Sequence, residues 1–280
     1  MKRDSGGWLA SVVLHAVLIG LAVAAITPLV WLVLTALKPK ADLATVFVTW
    51  DGLGRLGLHN FSELFAKHAL LAWMLNSLFL ACTQTVLTVL LACLGGFALA
   101  KHRFAGKRIL LWIMLATMML PAQAMLPASY ELMWKLGWLN TWQAILVPCS
   151  VSVFGMLLFR GAFAAVPDEL LQAARIDGAG EFRLWWDIAV PCVRPMIGAF
   201  SLLAFTGAWN AFIWPQVILS DSRSLTLPIA ATALMGTAEG ETNFGLVMAI
   251  TVIGIAPVLV LFFALQRDFV AGLTSGAVKG

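Results

Sequence analysis

Six runs of the chain contain no Asp, Glu, Lys or Arg: Leu9 to Leu37, Ala69 to Ala100, Ile109 to Tyr130, Leu136 to Phe159, Pro195 to Ser220 and Thr242 to Gln266. A helix rises about 1.5 Å per residue, so about 20 apolar residues cross the hydrocarbon of a bilayer, and each run is long enough. The pattern predicts an all-α membrane protein with six transmembrane helices, over about 9–37, 72–100, 109–131, 138–161, 193–220 and 243–266, in a single domain 1–280. Ser224 to Ala238 is also free of charge but too short to span, and predicts an external loop or a shallow re-entrant hairpin. Pro28, Pro121, Pro127, Pro148 and Pro257 interrupt the runs, and each removes a backbone hydrogen bond that the bundle must replace.

Lys2 and Arg3 precede the first run as they would in a signal peptide. The run exceeds an h-region of about 7 to 15 residues and no small-residue cleavage site follows, so it reads as a retained span. Composition agrees with a lipid solvent: 61% of the 280 residues are hydrophobic and 11% charged, against about 25% charged in soluble domains. Six spans put both termini on one side. With the termini cytoplasmic, twelve of the eighteen Lys and Arg residues are inside, as the positive-inside rule requires. Lys101, Arg103, Lys107 and Arg108 carry the strongest vote, because they share one short loop.

The net charge of +4 comes with no basic helix and no aromatic RNA-binding pattern, so the partner it implies is the lipid bilayer and no nucleic acid. Cys82, Cys93, Cys149 and Cys192 fall in or beside apolar segments without a CxxC pair. They read as small core residues, neither disulfide partners nor metal ligands. Trp8, Trp73, Trp112, Trp134, Trp138 and Trp142 lie near span ends, where indoles anchor at the interface.

The longest cytoplasmic stretch is the loop 166–191 between spans 4 and 5. Pro167 suits the first turn of a short helix, Asp168 and Glu169 complement the positive end of its dipole, and Gly178 suits a left-handed exit. A second short helix is expected from about Glu181 to Ile188, stopped by Pro191. The small pair Ala173 and Ala174 would let another surface approach the backbone closely.

This stretch resembles the coupling motif of ABC importer permeases: EAA, three residues, Gly, nine residues, Ile-x-Leu-Pro. The chain supplies Gln172-Ala173-Ala174, then Asp177-Gly178-Ala179, then Ile188-Ala189-Val190-Pro191. Gln172 stands for the motif's Glu and Val190 for its Leu, which leaves open any salt bridge made by that Glu. The likeness extends over nearly the whole chain to the carbohydrate-uptake, maltose-type branch. It is carried by Asn60-Phe61, Phe97-Ala-Leu-Ala-Lys-His-Arg-Phe104, Trp209-Asn210 and the ending from Gln266 to Gly280.

The resemblance implies a subunit of a bacterial cytoplasmic (inner) membrane importer working by alternating access. It implies four kinds of partner: a second homologous permease in a heterodimer, two ATP-binding cassette subunits, an extracytoplasmic solute-binding protein, and lipid. Glu169, Gln172, Ala173, Ala174, Asp177, Gly178, Ala179 and Pro191 would couple to an ATPase subunit. Gly272, Leu273, Thr274, Gly276 and Lys279 would form a tail contact with it, the alternative being a frayed terminus. No GxxxxGK[ST] loop occurs, so the chain is a transport subunit and no enzyme, with no cofactor of its own; ATP and Mg belong to the partner ATPase subunits.

Rival readings lack their residues. An ion-coupled secondary transporter normally buries an acid or His relay, and here only His15 lies in a span. An intramembrane enzyme needs a nucleophile with its base or a metal set, and His15, His59, His68 and His102 are scattered. Charge-free spans favour a neutral, hydroxyl-rich solute such as a sugar, oligosaccharide or polyol; the resembled branch also carries glycerol phosphate esters. Trp209, Asn210 and Trp214 of the fifth span, with Gln123 of the third, are candidates for the substrate pathway. The Asn210 amide needs a partner, either another helix or the solute and water of a cavity.

Overall fold

The computed structural model describes residues 5–39, 54–236 and 244–275, and among them every regular element is helical. Among the described residues, four helices are long and apolar enough to cross a membrane: Ala10–Leu37, Leu70–Lys101, Arg194–Ile218 and Phe244–Arg267. Two bent pairs, Lys107–Met118 with Ala122–Lys135 and Gln143–Cys149 with Val153–Ala164, raise the number to six when each counts as one span. The chain divides into two compact units, residues 1–70 with 231–255, and residues 71–230 with 256–280.

In the first unit, α1 (Ser5–Leu37) is apolar all round and residues 10–31 are exposed on the chain's own surface, as expected of a helix whose solvent is lipid. His15 Nδ1 donates to the Ser11 carbonyl at 2.7 Å, so its ring is satisfied by its own helix. The end of α1 is where burial begins. Its orphan carbonyls are met by α2 (His59–Lys67): Asn60 Nδ2 donates to Ala36 O at 2.7 Å and Lys38 O at 2.9 Å, and His59 Nε2 to Lys38 O at 2.8 Å. Four unpaired carbonyls at a helix end need such donors. Asn60 is fully buried, and a Cβ on Gly245 would stand 2.7 Å from its Nδ2; only glycine lets the final helix come so close.

In the second unit, α3 (Leu70–Lys101) and α4 (Lys107–Met118) are joined at Gly106, whose φ of 82° suits glycine. The expected third span 109–131 is not one helix. It turns by 93° around Pro121, through a 3-10 turn Ala122–Met125, into α5 (Leu126–Lys135). Pro121 cannot donate to the ladder and pushes Leu120 out of the helical region. Pro127 sits in the first turn of α5, where its missing N–H costs nothing. Pro28 and Pro257 are carried inside continuous helices.

The fourth apolar run is α6 (Gln143–Cys149) and α7 (Val153–Ala164), bent by 42°. Pro148 weakens the end of α6, and Ser152 restarts the helix by accepting from Gly155 N at 3.0 Å. The carbonyl of Cys149 loses its partner at the break. Thr88 Oγ1 at 3.3 Å and Gln84 Nε2 at 3.5 Å, both from α3, take over.

Small residues set the helix spacing. A Cβ on Gly96 would lie 2.4 Å from Phe159 Cβ, and one on Gly155 2.3 Å from Phe200 Cζ. Helices in lipid associate through such close packing, because lipid is as apolar as Leu. The aromatic rings fill the same seam, Phe159 edge-on to Phe200 at 5.5 Å and Phe97 to Phe163 at 5.4 Å.

At the other end of α3, polar side chains tie down the segment before α13 (Leu227–Ala233). Trp73 Nε1 donates to Ser222 O at 3.1 Å, Asn76 Nδ2 to Arg223 O at 2.8 Å, and Leu227 N to Ser77 Oγ at 2.7 Å. Trp73 is buried and bonded, a tie within the protein where the sequence suggested an interfacial anchor. Ser224 to Gly236 is not an open loop: it holds α13 and a 3-10 turn Leu234–Gly236, and residues 237 and 238 of the expected loop or re-entrant hairpin lie outside the described residues. The last helix, α14 (Phe244–Ser275), runs on past the expected end at 266.

Candidate functional site

Residues 166–191 form an ordered, partly buried platform. The helix α8 (Asp168–Ile176) starts after Pro167, with Asp168 and Glu169 in its first turn. It ends in a Schellman motif: Ala179 N donates to Ala174 O at 2.9 Å and Gly178 N to Arg175 O at 3.0 Å, with Gly178 at φ 84°. The spacing from Ala174 to Gly178 to Ala179 is therefore dictated by the cap. Ala174 and Ala179 both pack against the apolar cluster around Phe163, Leu171, Leu184 and Trp185.

That placement corrects the expectation for Ala174, which faces this chain's own core. Leu171 is buried beside it. The outward side of α8 carries Glu169, Gln172, Ala173 and Ile176, all exposed, at the i, i+3, i+4, i+7 spacing of one helix face. Ile176 is 86% exposed and was missed in the sequence, although its distance of seven from Glu169 was the signal. Asp177 is exposed at the C-cap.

Charges fasten the platform to its neighbours. Lys101, at the end of α3, donates to Val166 O and Asp168 Oδ1, both at 2.5 Å. Its hydrogen bond and charge hold the Asp168 carboxyl below the ordinary carboxylate range. Arg175 grips Glu181 with Nε at 3.2 Å and Nη2 at 3.0 Å, and His102 Nε2 lies 3.5 Å from the same carboxylate.

After Gly180 the chain winds as α9 (Glu181–Arg183), a π-helical stretch Leu184–Ala189, and α10 (Val190–Cys192). The expected stop at Pro191 is thus overturned. A proline ring inside α-winding collides with the carbonyl four residues back, and the wider π turn gives that carbonyl room while Pro191 supplies no N–H. Phe182 and Trp186 stack outward with an interplanar angle of 4°.

The fifth apolar run is α11 (Arg194–Trp209) and α12 (Ile213–Ile218). Asn210 caps α11: its Nδ2 donates to Thr206 O at 2.9 Å. The amide is thus satisfied by its own helix end, a third solution beside the two expected. Trp209 is buried and stacked on Phe205 at 5.8 Å. Trp214 is fixed by its Nε1–H on Ala144 O at 3.0 Å.

Trp214 and Gln123 meet in one cavity of about 350 Å³, lined also by Met125, Leu126, Ser129 and Cys149. Trp209 and Asn210 do not line it. A second cavity of about 340 Å³, with Gln84, Thr88 and Ser152 in its wall, shares Cys149 with the first. No three His, Cys, Asp or Glu side chains gather as a metal site among the described residues. Gly272, Leu273 and Thr274 lie on the helical backbone of α14; Gly276 and Lys279 fall outside the described residues.

The chain is thus a polytopic helical protein with a preformed helix, α8, exposed on one face. Residues 84–274 match the family described as binding-protein-dependent transport system inner membrane component, and the chain belongs to that family. It is 34% identical to the arabinooligosaccharides transport system permease protein AraQ of Halalkalibacterium halodurans, over 93% of each chain. It is also 34% identical to the sn-glycerol-3-phosphate transport system permease protein UgpE of Salmonella typhi, over 71% of each. Among solved structures, a chain of a bacterial ABC transporter involved in alginate import superposes with a TM-score of 0.83 at 20% identity, covering 96% of this chain and 99% of that one.

Proposed function

We propose that the chain is one half of the translocation pore of an ATP-driven, binding-protein-dependent importer for a neutral sugar or oligosaccharide, with both termini cytoplasmic. The observation that carries the reading is the outward face of α8. Glu169, Gln172, Ala173 and Ile176 are exposed on a helix that is capped, ion-paired and packed on the core. A rigid helix with one apolar and small-residue face open suits a groove on a soluble partner, and displacement of that partner would reach α3 and α7 through Lys101 and Leu171. The partners are two ATP-binding subunits, which use ATP and Mg, a second permease, and the solute-binding protein. The tail from Gly272 to Lys279 is a further contact with the ATPase.

The substrate class is supported by the 34% identity to an arabinooligosaccharide permease along nearly the full length, and by cavity walls that carry no Asp, Glu, Lys, Arg or His. Glycerol phosphate is the second reading, favoured by the identity to the glycerol-3-phosphate permease. A buried phosphate needs a cationic partner, which neither of these two cavities offers. Proteoliposomes holding the permease pair, the ATPase and the binding protein should take up an arabinose trisaccharide only with ATP inside. Uptake without ATP, or of sn-glycerol 3-phosphate in place of the sugar, would overturn the reading.

A further inference from the structure

The cavity that joins the third, fourth and fifth apolar runs has features beyond its size. At about 350 Å³ it lies at the small end of ligand pockets, which run from about 300 to 1,000 Å³. Its walls are mostly apolar, and the polar groups in them are few. The indole of Trp214 is locked, because its N–H is already spent on Ala144 O at 3.0 Å; what remains for the cavity is a rigid ring. Gln123, on the 3-10 turn after Pro121, and Ser129, on α5, supply an amide and a hydroxyl.

Neither of these two groups has a hydrogen-bond partner among the described residues. Several hydroxyls elsewhere in the apolar segments return their proton to the helix that carries them, as Thr85 does to Ala81 O at 2.6 Å, Thr206 to Leu202 O at 2.8 Å and Thr251 to Val247 O at 2.7 Å. Gln123 is exposed and Ser129 half-buried on the chain's surface, so both groups are open to a polar ligand. No Asp, Glu, Lys, Arg or His lines the cavity, so the ligand its walls suit is neutral.

We infer that this cavity is a subsite on this chain for a single ring of a neutral oligosaccharide. The ring's apolar face lies on Trp214 and its hydroxyls bond to Gln123 and Ser129. The inference rests on the importer reading above and deepens it. An anionic solute such as a phosphate ester or a uronic acid is excluded by the same walls, since its charge would have no counter-ion.

Cys149 supplies the reporter, because it lines the same cavity. In the assembled importer, modification of Cys149 by N-ethylmaleimide is followed by mass spectrometry of the peptide that carries it. An arabinose trisaccharide is expected to slow the modification, and sn-glycerol 3-phosphate is not. Gln123→Leu and Ser129→Ala should each raise the half-protecting trisaccharide concentration about 2- to 13-fold, the worth of one neutral hydrogen bond. If the sugar gives no protection, or if both variants protect at the wild-type concentration, the subsite is overturned. Should ATP-driven sugar uptake persist in that case, the importer reading stands and the solute contacts lie elsewhere. Equal protection by glycerol phosphate also overturns the inference. Uptake of glycerol phosphate in place of sugar removes the substrate class itself.

Discussion

At the scale of single residues, the segment 166–191 is fixed by backbone chemistry more than by contact chemistry. Gly178 has φ 84°, and a Cβ there costs about 1 to 2 kcal/mol whatever space surrounds it. Gly180 has an ordinary extended backbone with φ −74°. Gly178→Ala is therefore expected to loosen the end of α8 and reduce ATP-coupled uptake, and Gly180→Ala to leave uptake intact; equal effects would remove the cap from the argument. The two alanines of the motif separate in the same way. Ala174 packs inward and Ala173 outward, so Ala174→Trp should lower the yield of folded chain, while Ala173→Trp should leave the chain folded and weaken capture of the ATPase. Co-purification of that subunit with each variant, at matched chain levels, decides it. The sequence made Gly178 legible, because a left-handed exit leaves a glycine signature. It did not separate Ala173 from Ala174, because adjacent positions differ by about 100° on a helix and nothing in the motif says which side is already occupied.

At the scale of elements, the packing of α3 on α7 turns on Gly96. A Cβ placed there meets Phe159 Cβ at 2.4 Å and the Arg160 backbone N at 2.9 Å, and overpacking of this kind costs about 1 to 3 kcal/mol. Gly161 also sits in α7, with nothing within 4 Å of its Cβ position, where alanine gains about 0.5 to 1 kcal/mol of helix propensity. Gly96→Ala should lower the thermal transition of the purified complex and Gly161→Ala should hold or raise it. The tie between α3 and α8 obeys a pH rule. Lys101 holds the Asp168 carboxyl below its ordinary value, so the contribution is fully present above the ordinary carboxylate pKa of about 3.9 and fades only as pH falls through the lowered one. Amide exchange over 168–176 should thus be the same at pH 6 and pH 8, apart from the intrinsic rate, and should rise at both in Lys101→Met. Apolar runs announced the helices, since lipid tolerates little else. The breaks at Pro121 and Pro148 were half visible as prolines, but the π winding at Leu184–Ala189 had no sequence sign, because proline is equally able to end a helix.

At the scale of the molecule, the question is which ends of the helices share a side. Within residues 71–230 the hydrogen bonds sort them. Trp73 and Asn76, at the start of α3, bond to Ser222 and Arg223, and Asn140 Oδ1 accepts from Ser220 N at 3.2 Å. Lys101, at the other end of α3, bonds to Val166 and Asp168. The turn at 102–106 therefore lies with the α8 platform, and the segments near 140 and 220 lie together at the opposite end. Each bent pair then counts as one span, giving six. The charge count then assigns the sides. Four cations between Lys101 and Arg108 stand with Arg160, Arg175, Arg183 and Arg194 at the platform end, against Lys135 and Arg223 at the other. A positive-inside bias of that size supports the proposal that the platform, and the ATPase it would meet, is cytoplasmic. The expected outcome is that a membrane-impermeant maleimide applied outside intact cells labels Arg55→Cys and Arg223→Cys and spares Ala105→Cys, read on the peptide carrying each new cysteine. Permeabilised cells should label all three. Labelling of position 105 from outside, with 55 and 223 protected, would invert the molecule and set α8 against the solute-binding protein, ending the coupling assignment with the topology.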